Sequence, residues 1–279
     1  MALPKTFRVA RRIVGVGLCF FFAYVDFFFR FVLTGRAGSY PHRARWMRFW
    51  AVGFLRALNF RINISGPLPE QGIVVSNHLT YMDIVVLGSL RPLVFLSKSE
   101  VASWPVIGVL TRCAGTLYIN RQKKSDVARL GGALVKVVES GVPVTMFLEG
   151  TSSDGSEVLP FRSSLLAPLE NHTWRVTPTW IHYECADGSV AEEVCYWRDM
   201  TFFPHLLNLM SKQCVEAFVC FGTPMPEIPD RKEMARQLHS RVCELKQNWE
   251  RANGKVPVAK AGSEVSENNH GQAVGTRVD

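Results

Sequence analysis

The residues of greatest chemical interest lie in the segment Val74-Val75-Ser76-Asn77-His78-Leu79-Thr80-Tyr81-Met82-Asp83. A histidine held by a carboxylate is the usual way to build a general base. The acid fixes the imidazole tautomer and stabilises the imidazolium formed when a proton is taken. His78 and Asp83 are separated by four residues, a spacing that on one continuous helix would set them about 140° apart and out of reach. If a strand ends at Asn77 and a helix starts near Thr80, His78 sits in the turn between them. The two side chains can then meet across the helix N-terminus, where backbone N–H groups are also free. Thr80-x-x-Asp83 has a second reading as a helix capping box, in which Asp83 only closes the first turn.

Two further segments bring polar groups to expected strand ends. Gly115-Thr116-Leu117-Tyr118-Ile119-Asn120-Arg121 leaves a strand with a cation. Phe147-Leu148-Glu149-Gly150-Thr151-Ser152-Ser153-Asp154-Gly155 leaves another with a carboxylate and a glycine-rich turn. Taken singly, Arg121 reads as a solvated helix-start cation, Glu149 as a loop charge and Gly150 as a turn former. Ligand sites in open α/β sheets lie beyond the carboxyl ends of strands, so together the three segments converge on one site.

Such a site needs strands to carry it. From Ile62 onward short β-branched runs alternate with helical stretches, the pattern of an α/β domain. Strands are expected at Ile73–Ser76, Leu93–Ser97, Thr116–Asn120, Val144–Leu148, Val176–His182 and Val215–Phe221, and helices at Thr80–Leu90, Val106–Cys113, Ser125–Ser140 and Asp230–Ala252. The third helix stops at Gly141 with Pro143 just beyond. After Gly254 periodicity is lost, which predicts a disordered tail over 254–279. With 47% hydrophobic and 20% charged residues in 279, the chain is not a disordered one, and it is long enough for a large core. Its seven cysteines have no Cys-x-x-Cys spacing, which fits buried thiols in a reducing compartment and predicts no metal site.

The charge is unevenly placed. Residues 1–63 hold eleven Lys or Arg against Asp26 alone, so that segment is +10 and the rest of the chain is −2. Seven of the 18 phenylalanines fall between Phe20 and Phe31, so the positive charge flanks an apolar stretch. That combination points to an anionic membrane surface and not to nucleic acid. The unbroken apolar run Ile13–Val25 is shorter than the roughly 20 residues of a spanning helix, and Asp26 and Arg30 follow at pairing distance. A tilted spanning helix and an interfacial one both satisfy this pattern. The nearest small-x-small triplet, Gly35-Arg36-Ala37, lies well past the run, which favours a retained anchor over a cleaved signal. Arg43–Phe60, with Trp46, Trp50, Phe54 and Leu58 at near-helical spacing, would line the same surface or pack on the core. The expected organisation is N-terminal anchoring helices over 1–62, a catalytic domain over 63–253 and the tail.

Asn77-His78 followed by Asp83 resembles the H-x4-D block of the glycerolipid acyltransferase family, the bacterial lysophosphatidate acyltransferases and their relatives. Gly115 to Arg121 resembles its second block, Phe147 to Thr151 its third and Val176-Thr177-Pro178 its fourth, so the likeness covers Leu68 to Thr223. The resemblance implies a mixed, largely parallel sheet flanked by helices, and direct acyl transfer from acyl-CoA or acyl carrier protein to a hydroxyl of a membrane lipid acceptor. It makes His78 the base, Asp83 its orienting partner, and Arg121, Glu149, Gly150 and Thr151 acceptor-binding residues. No cofactor beyond the thioester co-substrate and no metal are implied, and the location is the cytoplasmic face of the bacterial inner membrane.

Two departures matter. Leu148 stands for the family's proline, and Ser152 for an arginine that would clamp a phosphate. The segment is closer to the branch that acylates lyso-ornithine lipid, whose head group lacks phosphate. Arg162 could supply a compensating cation, which keeps lysophosphatidate as the alternative acceptor. Asp154 could face an ornithine ammonium, although Asp154-Gly155 reads first as a turn. The intact His78 and Asp83 argue against a non-catalytic lipid-binding protein, and the missing G-x-S-x-G argues against a serine hydrolase.

Overall fold

Two helices lead the chain. Helix α1 (Lys5–Phe27) runs on through a wide turn at Phe28–Val32, and α2 (Tyr40–Leu58) starts behind Ser39 with Pro41 in its first turn and stops at Asn59, whose left-handed φ of 60° ends it. Then come β1 (Phe60–Ser65), β2 (Ile73–Ser76), α3 (Met82–Leu90), β3 (Val94–Lys98), α4 (Ile107–Ala114), β4 (Leu117–Ile119), α5 (Lys124–Glu139) and β5 (Val144–Phe147). The last elements are β6 (Val176–Cys185), a one-turn α6 (Val190–Glu193), α7 (Phe202–Ser211), β7 (Val215–Phe221) and α8 (Arg231–Ala252). This computed structural model describes residues 4–35, 38–120, 124–169, 172–226 and 230–255.

The strands form one sheet in the order β1-β7-β6-β2-β5-β3-β4. Every pairing is parallel except β6 with β7, which is the mixed, largely parallel sheet expected. Residues Ile73 to Ser76 of β2 are all buried, as a central strand covered on both faces requires. One face is closed by Val16, Phe54, Leu58, Val86 and Leu209 from α1, α2, α3 and α7, the other by Leu134 and Leu238 from α5 and α8.

Two local features set the centre of the sheet. Gly72 enters β2 at φ 84°, and a Cβ there would lie 2.3 Å from the Arg175 carbonyl oxygen, so only glycine fits. Pro178 lies within β6 yet costs no ladder bond to β7, because that antiparallel pairing begins one residue later at Thr179. Its carbonyl instead accepts the Gly222 N–H at 2.8 Å.

The expected strands and helices are all present with shifted ends, and β6 runs on to Cys185. Three elements were not expected, the one-turn α6 among them. Strand β1 straddles the boundary drawn at residue 62 and pairs with β7 over Phe60–Ser65. Helix α7 follows the loop after β6. The tail from residue 256 lies outside the described residues.

Part of the N-terminal positive charge turns inward. Arg12, 1% exposed, donates to the carbonyls of Met210 at 3.0 Å and Gln213 at 3.1 Å and also to that of Lys212, while Arg8 reaches that of Ser211 at 2.7 Å. These carbonyls lie at the end of α7. Arg43 donates to Cys113 O in the last turn of α4, and Arg48 to Ser89 O in the last turn of α3. Helix C-termini carry unpaired carbonyls and a partial negative charge, which these guanidinium groups satisfy. Four of the eleven cations expected to face an anionic surface therefore hold the helical hairpin to the body.

Replacing Arg12 with alanine strands buried carbonyls that had charge-assisted partners. The Arg12→Ala protein should lose about 2–4 kcal/mol of stability, read by urea denaturation, and α1 should become a site of early proteolysis.

Candidate active site

The turn between β2 and α3 is built around one carboxylate. Asp83 has no solvent exposure, and its Oδ2 accepts the Leu79 N–H at 2.7 Å, the Thr80 N–H at 3.1 Å and the His78 Nδ1–H at 2.7 Å. Its Oδ1 accepts the Tyr183 hydroxyl at 2.7 Å. The capping role and the orienting role are thus filled by the same group. A buried charge without such donors would be costly, so the turn has little choice of conformation.

His78 is fixed from three sides. The Asp83 contact places the proton on Nδ1 and turns Nε2 to the cavity described below. The ring stacks on Phe147 with centroids 4.2 Å apart. The backbone N–H of His78 donates to Glu149 Oε2 at 3.1 Å, and its carbonyl accepts the Ser153 N–H at 3.0 Å. Just before it, Asn77 extends the β2–β6 pairing with its side chain, accepting the Ile181 N–H at 2.8 Å and donating to the Ile181 carbonyl at 3.0 Å.

Glu149 is 2% exposed and faces into the protein, bridging the His78 N–H and the Leu159 N–H, which lies 3.0 Å from Oε1. Burial pushes its carboxyl up to about 8, against the pull of those two donors and with a small addition from Asp83. Gly150, at φ 75°, turns the chain so that Gly150, Thr151 and Ser152 line the cavity beside His78. The Ser152 hydroxyl donates to the Tyr196 carbonyl.

The cavity holds about 570 Å³ and is mainly apolar. Its walls come from α1 and α2 (Phe20, Trp50, Phe54), from α3 and α4, and from α7 (Phe202, Phe203, Leu206). Lys98, at the carboxyl end of β3, is the one Lys or Arg among the described residues of its wall. Tyr81, also in the wall, donates its hydroxyl to His205 Nδ1 at 3.0 Å, and His205 Nε2–H donates to the Cys195 carbonyl at 2.9 Å.

The structure therefore brings together His78, Asp83, Glu149, Gly150, Thr151 and Ser152. Arg121 lies outside the described residues. Arg162 is exposed and not part of the wall, and its backbone N–H holds the Leu148 carbonyl at 2.8 Å. Asp154 is engaged in a turn, its Oδ1 accepting the N–H and hydroxyl of Ser156 at 3.0 and 2.7 Å. Sequence reasoning gave no role to Asn77, Lys98 or Tyr183. Asn77 and Lys98 had a signal, since both follow strand runs at the same sheet edge. Tyr183 had none, being 100 residues from Asp83. An Nε2 lone pair turned into an apolar cavity can take a proton from a hydroxyl placed there.

The acyltransferase family model matches residues 60–182. A lyso-ornithine lipid O-acyltransferase of Rhodobacter capsulatus is 34% identical over 193 residues, 66% of this chain and 70% of that protein. One of Pseudomonas aeruginosa is 33% identical, over 72% and 78%. A 1-acyl-sn-glycerol-3-phosphate acyltransferase of Neisseria gonorrhoeae is 29% identical, over 60% and 70%. The crystal structure of the 1-acyl-sn-glycerophosphate acyltransferase of Thermotoga maritima shares the fold, with a TM-score of 0.60 at 18% identity, covering 87% of this chain and 98% of that one. By its sequence relatives and by the shared fold, the chain belongs to the acyltransferase family and is an enzyme that transfers acyl groups.

Proposed function

We propose that the protein acylates the hydroxyl of a lyso-lipid, with lyso-ornithine lipid as the acceptor and an acyl carrier protein or CoA thioester as the donor. The observation that carries this reading is the His78–Asp83 pair at the wall of an apolar cavity large enough for lipid chains. His78 Nε2 takes the proton of the acceptor hydroxyl as its oxygen attacks the thioester carbonyl. The C–S bond then breaks, and the departing thiolate recovers the proton from the imidazolium. No acyl-enzyme is needed.

Support for the acceptor comes from the cavity wall and from the relatives' names. Where the family pattern has an arginine, Ser152 presents only a hydroxyl already bonded to Tyr196 O. Among the described residues of the wall the cation is Lys98, and a single cation there suits the one charge of a head-group carboxylate better than a phosphate dianion. Lysophosphatidate is the competing acceptor, with Arg162 as the compensating cation that would then be recruited.

We place the enzyme on the surface of the membrane, at its cytoplasmic face. By length and composition Lys5–Val32 could cross a bilayer. Yet α1 is fastened at its start by Arg8 and Arg12 and near its end by Tyr24, whose hydroxyl donates to Val106 O at 3.1 Å. A helix of roughly 34 Å, at 1.5 Å per residue, that lies along the catalytic body cannot also stand across a bilayer. Its outer residues, Phe7, Val14, Leu18, Phe21 and Phe22, are exposed and would enter the lipid sideways.

His78→Ala should lower kcat by roughly 10²–10⁴ with the fold intact. Asp83→Asn should do nearly as much, and Tyr183→Phe about tenfold, the worth of one hydrogen bond to a charge. Steady-state assays of acyl transfer check all three, and full activity in His78→Ala would remove the proposed base.

The wild type should show a higher kcat/KM for lyso-ornithine lipid than for lysophosphatidate, and Ser152→Arg should narrow or invert that ratio. A tenfold preference of the wild type for lysophosphatidate would sink the Ser152 argument.

Because the folded carboxyl of Glu149 is raised from 4.5 to about 8, its contribution to stability is full below pH 4.5 and lost as pH rises through 8. Thermal unfolding from pH 5 to pH 9 should therefore show the wild type losing ground steadily to Glu149→Gln, which has no proton to lose.

A further inference from the structure

Several exposed apolar side chains lie outside the N-terminal hairpin, and the proposed function leaves their solvent-facing surface without a role. On α7, Phe203 is 74% exposed and Leu207, one turn on, 47%. Before α4, Trp104 is 39% and Val106 46% exposed, and Val109 projects from the first turns of α4. The two groups are neighbours, with Trp104 and Phe202 ring centroids 6.0 Å apart. Trp104, Val106 and Phe203 also line the cavity that holds His78, so the patch is the rim of its mouth.

We infer that this rim is a second membrane-inserting surface, separate in sequence from α1, and that its partner is the acyl-chain region of a lipid bilayer. Three observations favour lipid over a protein partner. The rim is continuous with the Phe-rich outer face of α1, through the Tyr24–Val106 hydrogen bond at 3.1 Å. It is rich in aromatic and aliphatic side chains, with the exposed cation Arg112 one turn past Val109, the composition of an interfacial wedge. Val106 is held at φ 63°, an outlying conformation for a β-branched residue, at the point where the loop turns outward. With α1 on one side of the mouth and the rim on the other, the cavity opens into the hydrocarbon layer. An acceptor then reaches His78 by sliding along its own leaflet without passing through water. The inference builds on the proposed lipid acceptor, but its first test does not depend on catalysis.

The test uses the full chain and vesicles of phosphatidylethanolamine and phosphatidylglycerol. Leu207→Glu and Val109→Glu lie outside the cavity wall, and Ile64→Glu, an exposed apolar residue on β1 at the opposite end of the sheet, is the control. Each rim variant should lower the vesicle partition coefficient about tenfold, the order expected when one buried aliphatic side chain is lost to water. The control should leave it within twofold. With a vesicle-borne lyso-lipid the rim variants should raise KM in the same proportion, while a short-chain acceptor dissolved as monomer should be acylated at the wild-type rate. Unchanged partitioning in both rim variants, or an equal fall in Ile64→Glu, would overturn the inference. If the wild type acylates no lyso-lipid, the proposed acceptor falls, and the partition measurements still decide the rim.

Discussion

A carboxylate with no access to water must be surrounded by donors, and the placement of Asp83 constrains much of the molecule. Two of its donors are backbone N–H groups, which fix the turn after β2. A third is the His78 ring, and the fourth comes from Tyr183 on the neighbouring strand. For Tyr183 to arrive, β6 must lie beside β2 and run on past it to Cys185, the stretch in which it pairs with β7. The antiparallel β6–β7 pairing and the orientation of the proposed base are therefore linked through a single hydroxyl. Glu149, just past β5, braces the same turn, and Asn77 at the end of β2 ties it to the Ile181 backbone of β6. The rigidity needed to hold an imidazole ready is supplied by neighbours on both sides of β2.

The N-terminal hairpin is a wall of the cavity as well as the proposed attachment. Val16, Arg12 and Ala23 are buried in the body, while the opposite face of the same helix is bare phenylalanine. Its arginines resolve an apparent conflict between an apolar surface and a high positive charge. Arg8, Arg12, Arg43 and Arg48 close the ends of three helices, so an apolar face and a dense set of cations coexist on one hairpin.

How much of this could be read in advance depended on range. His78, Asp83, Glu149 and the Gly150 turn were legible because each sits within a few residues of a strand end that periodicity marks. Strand β1 was missed although Phe60-Arg61-Ile62-Asn63-Ile64-Ser65 alternates, because the aromatic spacing of the preceding helix was carried through Phe60. Helix α7 was missed because Pro204 and His205 break its apolar pattern, yet a proline in the first turn costs little. The inward use of the arginines was illegible in principle, since their acceptors are backbone carbonyls that any sequence would offer. Tyr183 and Lys98 needed the sheet order before their relation to His78 could be seen.

The contact between Arg12 and the carbonyl of Met210 spans 198 residues, and β1 waits for β7 at the far end of the same chain. During synthesis the first helix therefore emerges long before the groups that will hold it exist, and contacts of such separation form late and slowly. In that interval its phenylalanines have no protein surface to bury against. Closure therefore comes last, and the cavity comes into being only when α7 arrives to complete its wall.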